Sequence, residues 1–354
     1  MTNSTIYGAR DGLRHFLEQR ENSPNANDFP EGHNSYSSVF QQIETFLNSN
    51  VHPLVGYGSV LNGEGFLTDH GQEHVAMVIQ RAGLILGAKV EKLLGYEIFL
   101  LLLAIHFHDV GNIYGREKHE ERIFEVMEKL GQRLPLDTPS KRLVAKIAMA
   151  HGGEYNGCKD TVSNLLESEY LQGIAIRTAL LASILRFADE IADDHTRSSR
   201  FMHEQGIIPA MNKLYHDYSA CLQPAAIEGS TLILKYDIPY NLAVRQSTKE
   251  SSSSQNGLCH VYLYDEILNR LKKCLCELDY CQKYSQGFIG ITSIRAEIEV
   301  HQPDKLNPVY KDKIMFRLSG YPSTYDCCIK EVVAPPHPQA INGNELKHII
   351  EEEG

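Results

Sequence analysis

Histidine and aspartate residues recur in one order in the first half of the chain, and together these residue types can bind a divalent metal ion. His70 and His74 are four residues apart, so both would lie on one face of a helix. His108 and Asp109 are adjacent at the end of the most apolar segment, and Asp189 follows in RFADE. An adjacent imidazole and carboxyl are costly to bury without a partner. The order therefore predicts a metal site.

Imidazole and carboxylate ligands together suit Mn²⁺, Fe²⁺, Co²⁺, Ni²⁺ or Zn²⁺, and Mg²⁺ is left open as well. Gly111 follows the adjacent pair and would let the chain turn away, which leaves one side of the ion open. A hydrolytic site needs such an open position, because water bound there loses its proton near neutral pH. The sequence contains no P-loop, GxGxxG fingerprint or nucleophilic Ser or Cys triad.

Helical periodicity dominates the segment that carries these residues. Apolar residues recur at spacings of three and four in VAMVIQRAGLIL, YEIFLLLLAIHF, EERIFEVMEKL, SKRLVAKIAMA and IRTALLASILRFADEIADD. Glycines between these stretches are typical helix stops. The apolar run 98–105 is far too short to span a bilayer and indicates a buried helix. We therefore expect an all-α bundle of five or more helices.

The pattern changes after about residue 205. STLILKYDIP, ITSIRAEIEV and KIMFRLSG alternate apolar and polar residues as half-buried strands do, and a long helix over 261–281 lies between the first two. The tract QSTKESSSSQNG (246–257) has the composition of a flexible loop. The predicted fold is mainly α. A helical extension (1–65) precedes a metal-binding helical domain (66–204), and a smaller α+β domain of unknown role (205–354) follows.

Composition narrows the choice of partners and location. The formal charge of −11 disfavours extended contact with nucleic acid or an anionic membrane, since both would repel the chain. The N-terminal segment lacks the apolar stretch of a signal peptide, so a cytoplasmic location is expected. The eight cysteines form no CxxC pair, and Cys274, Cys276 and Cys281 fall in the long predicted helix, where reduced thiols are the simpler interpretation.

The ordered pattern H…HD…H…H…D resembles the HD superfamily of metal-dependent phosphohydrolases over about residues 65–200. Its members hydrolyse deoxynucleoside triphosphates, cyclic nucleotides or guanosine tetraphosphate. The resemblance implies an HD-type helical bundle with four metal ligands: His74, His108, Asp109 and Asp189. His74 is chosen over His70 because an apolar residue follows it one helical turn later, as in the family's first helix. The alternative, in which the two histidines exchange roles, stays open.

The resemblance also implies catalytic roles for His119 and His151 beside Asp109. His119 matches a histidine that approaches the phosphates in the triphosphohydrolases, although the family spacing is somewhat shorter. His151 matches a histidine that binds a second ion or a phosphate in two-metal members, and a plain loop or surface histidine is the alternative for either. The candidates for orienting ligands or contacting substrate are His70, Arg116, Lys118, Arg186 and Asp193. Asp193 lies four residues after Asp189, so the two are expected to share one helical face.

The implied function is hydrolysis of a phosphoester or phosphoanhydride by a metal-bound hydroxide, with one ion or two. The expected partner is a small phosphorylated molecule, a nucleotide or a similar compound. Asn112 stands where many members carry Lys or His, and the GYP-type signature is missing, which argues against cyclic di-GMP. A non-catalytic nucleotide-sensing or scaffold protein and a metal-dependent nuclease are the alternatives. The complete ligand set argues against a non-catalytic protein, and the net negative charge argues against a nuclease. Homo-oligomerisation is left open.

Overall fold

The computed structural model describes residues 7–24, 28–30, 35–61, 70–154, 157–197, 206, 208–250, 258–318 and 341–353. The chain divides into two compact units, Met1–Ala192 with Tyr280–Ile289 and Asp193–Asp279 with Gly290–Gly354. This division differs from the expected boundaries after residues 65 and 204. The reason in the first unit is that the N-terminal helices pack against the histidine-bearing helices. The expected mainly α fold with a smaller α+β part is confirmed.

The first unit is built almost entirely of helices. Its α-helices are α1 (Gly12–Asn22), α2 (Tyr36–Asn50), α3 (His52–Leu61), α4 (Gln72–Leu86), α5 (Gly95–Phe107), α6 (Ile123–Leu130), α7 (Thr138–Met149) and α8 (Thr178–Glu190). Short 3₁₀ turns join several of them, including Val110–Tyr114 and His119–Arg122. Strands β1 (Glu169–Leu171) and β2 (Ile174–Ile176) form an antiparallel hairpin before α8.

Helix α5 is the core of this unit. Every one of its residues is buried, because α1, α2, α4, α7 and α8 all pack against it. Gly95–Tyr114 is the one stretch among the described residues that is long and apolar enough to cross a membrane by length and composition, and 94% of its apolar 18-residue window is buried inside the protein. The expectation that 98–105 forms a buried helix is confirmed, since these side chains have no exposure.

An ion pair between the buried Glu97 and the half-buried Arg177 aligns the N-terminal ends of α5 and α8. Glu97, in the first turn of α5, accepts a hydrogen bond at 2.8 Å from Nε of Arg177, the N-cap of α8. His108 lies 11 residues after Glu97, and Asp189 lies 12 residues after Arg177. Because each helical residue advances the chain by about 1.5 Å, both residues reach nearly the same level. The ion pair at one end thus aligns the metal-ligand candidates at the other.

The second unit combines a mixed sheet with helices. Its helices are α9 (Ala210–Cys221), α10 (Tyr240–Ala243), the first part of α11 (Leu263–Tyr284) and α12 (Gly343–Glu353). Its main sheet has the order β3-β4-β7-β8, formed by β3 (Ala226–Glu228), β4 (Thr231–Pro239), β7 (Ser293–His301) and β8 (Tyr310–Arg317). Only β4 and β7 are parallel, and α11 lies in the crossover between them. The three predicted strands and the long predicted helix correspond to β4, β7, β8 and α11.

Two expectations about local structure were wrong. The tract 246–257 was expected to be a loop, but Gln246–Glu250 forms β5, which pairs with β6 (Leu258–Tyr262), and 251–257 lies outside the described residues. Backbone pairing with β6 outweighs the polar composition of this segment. The helix expected to run through IRTALLASILRFADEIADD ends at Glu190, so Asp193 does not share a helical face with Asp189.

Candidate metal centre

The helices bring four predicted ligands together in what we call the first cluster: His74, His108, Asp109 and Asp189. Nε2 of His74 lies 3.1 Å from Oδ1 of Asp189 and 3.3 Å from Nε2 of His108. Oδ2 of Asp109 lies 3.3 Å from Nε2 of His108 and 3.6 Å from Nε2 of His74. Ligand atoms at about 2.0–2.1 Å from a tetrahedral ion are separated by about 3.3 Å, which is the spacing found here.

The elements explain how these residues meet. His74 lies in the first turn of α4, and Asp189 is next to the last residue of α8. His108 caps the C-terminus of α5, and Asp109 follows with φ −106° and ψ 1°, outside the helical region. The side chain of Asp189 keeps 27% of its exposure, whereas His74 and His108 keep none. Solvent therefore reaches the first cluster on the Asp189 side.

The second cluster consists of Asp109, His119 and His151. Oδ1 of Asp109 lies 3.1 Å from Nε2 of His119 and 3.9 Å from Nε2 of His151. The two oxygens of one carboxylate thus face different sets of imidazoles, Oδ2 the first cluster and Oδ1 the second. The structure brings both histidines to the site, buried, instead of leaving them on a loop surface. Three sets of donor atoms around Asp109 and Asp189 lie close enough together to hold a metal ion: His74, His108 and Asp189; His70, His74 and Asp109; and Asp109, His119 and His151.

Backbone carbonyls fix the tautomer of three of these histidines. Nδ1 of His108 donates to Ile105 at 2.6 Å, Nδ1 of His151 donates to Ala148 at 2.6 Å, and Nδ1 of His119 donates to Arg116 at 3.1 Å, in each case three residues earlier. The spare proton of a neutral imidazole is thereby held at Nδ1, so the Nε2 lone pair faces the carboxylates.

This arrangement fits a divalent cation. A nitrogen lone pair that faces a carboxylate oxygen is repelled by it unless a cation or a proton lies between them. Nε2 of His119 is buried and has no hydrogen-bond partner among the residues that the structure describes, although Oδ1 of Asp109 is near. Imidazole nitrogens and carboxylate oxygens are also the donor set that first-row divalent ions accept. The chemistry and the orientation of the donors both favour a metal.

The charges within the first cluster are strongly coupled. Burial alone would raise the pKa values of Asp109 and Asp189, but the adjacent imidazoles hold both well below their usual range. Burial would lower the pKa of His108, yet the two carboxylates raise it to about 10. A proton on His108 therefore balances the buried carboxylates when no metal is bound, and a cation would take its place.

His151, in the second cluster, favours the neutral form, whereas His108 favours the protonated form. Burial, together with repulsion from His108 and His119, lowers the pKa of His151 to about 3. His151 is therefore neutral at physiological pH, which is the form of imidazole that binds metals.

Two residues near Asp109 contribute to the geometry in ways that sequence reasoning missed. Nδ2 of Asn112 donates to Oδ1 of Asp109 at 2.9 Å and so orients this carboxylate. Gly111 has no steric room for a side chain, because a Cβ atom there would lie 1.9 Å from the carbonyl oxygen of His119. The glycine allows the His119–Arg122 turn to approach the HD pair, rather than serving only to turn the chain away. In the sequence, Asn112 could have been predicted to contact Asp109 because it follows three residues later in a turn.

The sequence model of the HD-CE family matches residues 64–273, more than half of the 354 residues. This chain belongs to the HD-CE family. The match includes all the residues of both clusters and extends into the second unit. No curated protein and no solved structure matches the chain. Family membership establishes an HD-like domain and does not by itself specify a reaction.

His70 lies at the edge of the HD-CE site. Its Nδ1 donates to Oδ2 of Asp109 at 2.8 Å, and its Nε2 lies 3.4 Å from Nη1 of Arg116. The side chain of His70 keeps 14% exposure, whereas His74 is fully buried. His74 also contacts both His108 and Asp189, as a ligand of the first cluster would. Arg116 is exposed next to His70.

The other predicted cations and the predicted carboxylate occupy different places. Arg186 is largely buried, donates to Oγ1 of Thr161 at 2.8 Å and stacks on Tyr280, so it supports a loop. Asp193 belongs to the second unit, where it accepts a hydrogen bond from Ser219 at 2.7 Å. Lys118 is exposed and has a left-handed backbone with φ 53°.

A cavity of about 940 Å³ opens beside the second cluster. Its wall includes Glu120, the neighbour of His119, and also Ala150 and Gly152, which flank His151. Lys118 lies on the same wall. The loop that Arg186 supports contributes Thr161 to the cavity as well. Asp109, His119 and His151 are not among the residues that line the cavity, so it adjoins the second cluster through their sequence neighbours. A small molecule bound in the cavity would therefore lie next to the cluster.

Proposed function

We propose that this HD-CE protein is a metal-dependent phosphohydrolase that cleaves a phosphoester or phosphoanhydride of a small nucleotide-like substrate. The observation that carries the proposal is the position of Asp109, whose two oxygens face two separate sets of Nε2 atoms. A carboxylate shared in this way is suited to two divalent ions held close together, and the partly exposed Asp189 leaves one side of the first cluster accessible to water or substrate. A cytoplasmic location is proposed with it.

The distances between donor atoms support the ligands proposed here. His74, His108, Asp109 and Asp189 would hold one ion, and Asp109, His119 and His151 would hold a second. A divalent ion there would act as a Lewis acid on the phosphoryl group and make water a stronger nucleophile at neutral pH. This assignment gives His119 and His151 the role of ligands, because their Nδ1 protons are held by backbone carbonyls.

The remaining groups position the substrate and the ligands. Asn112 and His70 each donate to Asp109, which fixes the direction of its two oxygens. Arg116, exposed beside His70, would bind phosphoryl oxygens through its planar fork of N–H donors. In the reaction, a water oxygen bonds to phosphorus, the bond from phosphorus to the leaving oxygen breaks, and that oxygen takes up a proton.

Metal analysis combined with phosphate release tests this proposal. The purified protein should contain divalent metal and release phosphate from at least one member of a panel of phosphoesters, with Mn²⁺ added. Asp189→Ala and Asp109→Ala should lose metal and activity together while keeping the helical circular dichroism of the native protein. His15→Ala is the control, because His15 is exposed on α1 and belongs to neither cluster.

Two results would count against the proposal in different ways. Full activity in folded Asp109→Ala would refute the metal centre. A protein that binds metal through the first cluster but releases no phosphate from any compound would favour the nucleotide-sensing alternative.

A further inference from the structure

The cavity beside the second cluster is directly linked to a metal-ligand candidate through Glu120. Oε2 of Glu120 lies 3.4 Å from Nδ1 of His119, and Glu120 also lines the cavity. The side chain of Glu120 packs over Gly153, where a Cβ atom would come within 2.8 Å of its carboxylate. Glycine at this position therefore leaves room for the carboxylate at the mouth of the site.

The cavity wall is acidic. Among the described residues, its charged side chains are Lys118, Lys146, Glu120, Glu121, Glu154 and Glu169. This part of the wall has four carboxylates and two ammonium groups, and Lys146 is paired with Glu169 at 2.8 Å. Of the described cations in the wall, Lys118 is then left to offset three carboxylates. A wall of this charge repels a chain of phosphate groups, while it attracts hydroxyl and amino donors.

An apolar face lies in the same cavity. Met149, Leu165 and Leu166 line it, and the side chain of Leu166 is exposed although it is large and apolar. Cavities that bind small molecules combine apolar contact with a few polar groups that set orientation. The wall therefore has the properties expected for the organic part of a substrate rather than for its phosphates.

We propose, on the basis of the phosphohydrolase function above, that the site prefers a phosphomonoester with an uncharged or cationic organic group that carries hydroxyl or amino donors. Its single phosphate would lie at the metal centre beside Asp109. Its organic group would lie in the cavity, between the apolar face and the carboxylates of Glu120, Glu121 and Glu154. Compounds with several phosphates would be discriminated against.

A matched series of substrates tests this preference. Phosphate release would be measured for adenosine 5′-monophosphate, diphosphate and triphosphate in excess Mn²⁺, with p-nitrophenyl phosphate as a general probe of phosphomonoester hydrolysis. The kcat/KM of the monophosphate should exceed that of the triphosphate by about tenfold or more at low salt. The ratio should fall as ionic strength rises, because salt screens the charge of the wall.

Charge-neutral variants of the wall sharpen the test. The double variant Glu121→Gln with Glu154→Gln should raise kcat/KM for the triphosphate several-fold relative to the monophosphate. Both residues are exposed, so folding should be preserved. Glu128→Gln is the matched control, since Glu128 is exposed on α6 and does not line the cavity. It should leave the ratio unchanged.

The outcomes separate this inference from the function on which it rests. No phosphate release from any compound, p-nitrophenyl phosphate included, would refute the phosphohydrolase function and with it the preference. Release in which the triphosphate equals or exceeds the monophosphate would refute the preference alone. An unchanged substrate ratio in the folded double variant would also refute it, because the wall charge would then have no effect.

Discussion

Replacing Gly111 by alanine would test whether the close approach of two backbone segments builds the second cluster. The added Cβ atom would lie 1.9 Å from the carbonyl oxygen of His119, and real Cβ atoms do not come closer than 3.0 Å. The His119–Arg122 turn would therefore have to move by at least 1.1 Å, the difference between those two distances. Nε2 of His119 would move with it, away from Oδ1 of Asp109.

This displacement should lower both the stability of the protein and its metal content. Forced overpacking of a well-packed region costs about 1–3 kcal/mol. For a unit of this size, a loss of 1 kcal/mol lowers Tm by about 2–4 °C. The first cluster should survive, because Oδ2 of Asp109 and the helices that carry its other ligands are not displaced. We expect the Gly111→Ala protein to bind one fewer equivalent of metal than the native protein and to melt a few degrees lower.

The assay is metal content per chain by mass spectrometry, together with a thermal melt followed by circular dichroism. Gly56→Ala is the matched control, because no atom of the described part of the chain lies within 4 Å of the Cβ atom that it adds in α3. The reasoning is refuted if Gly111→Ala keeps the native metal content and Tm. It is equally refuted if Gly56→Ala loses the same metal.

Three further predictions concern protons, ligand orientation and helix alignment. Metal should displace the proton of His108, whose pKa is raised to about 10, so metal affinity should increase with pH up to that value. Calorimetry in buffers of different ionisation heat should detect this proton release. If no proton is released on metal binding, the coupling is contradicted. Asn112→Ala should weaken metal binding about 10–100-fold by releasing Asp109, and an unchanged titration midpoint would contradict this. Glu97→Gln should lower the free energy of unfolding by about 1–3 kcal/mol, because it removes the charge of a buried carboxylate that pairs with the half-buried Arg177. Glu125→Gln, in an exposed ion pair that solvent screens, should cost clearly less in the same urea titration, and equal losses would contradict the argument.

Much of the architecture follows from local sequence patterns. Apolar residues at helical spacing predicted helices that correspond to α4 through α8, since such a stripe must be buried against another element. Alternating residues predicted β4, β7 and β8 for the same reason. Local patterns failed where pairing partners decide the structure. The polar segment 246–250 became a strand because β6 supplies its hydrogen bonds.

In the candidate site too, local sequence patterns predicted some residues and contacts between segments decided the others. The sequence by itself determined that His108 and Asp109 end a buried helix and that a distal helix carries Asp189, because those positions depend on periodicity within single helices. Only the tertiary structure decided that His119 and His151 both face Asp109. His119 comes from a short turn with no periodic pattern, and it reaches Asp109 because Gly111 leaves space for its backbone. Contacts of that kind depend on the distance between segments, which residue types alone do not specify.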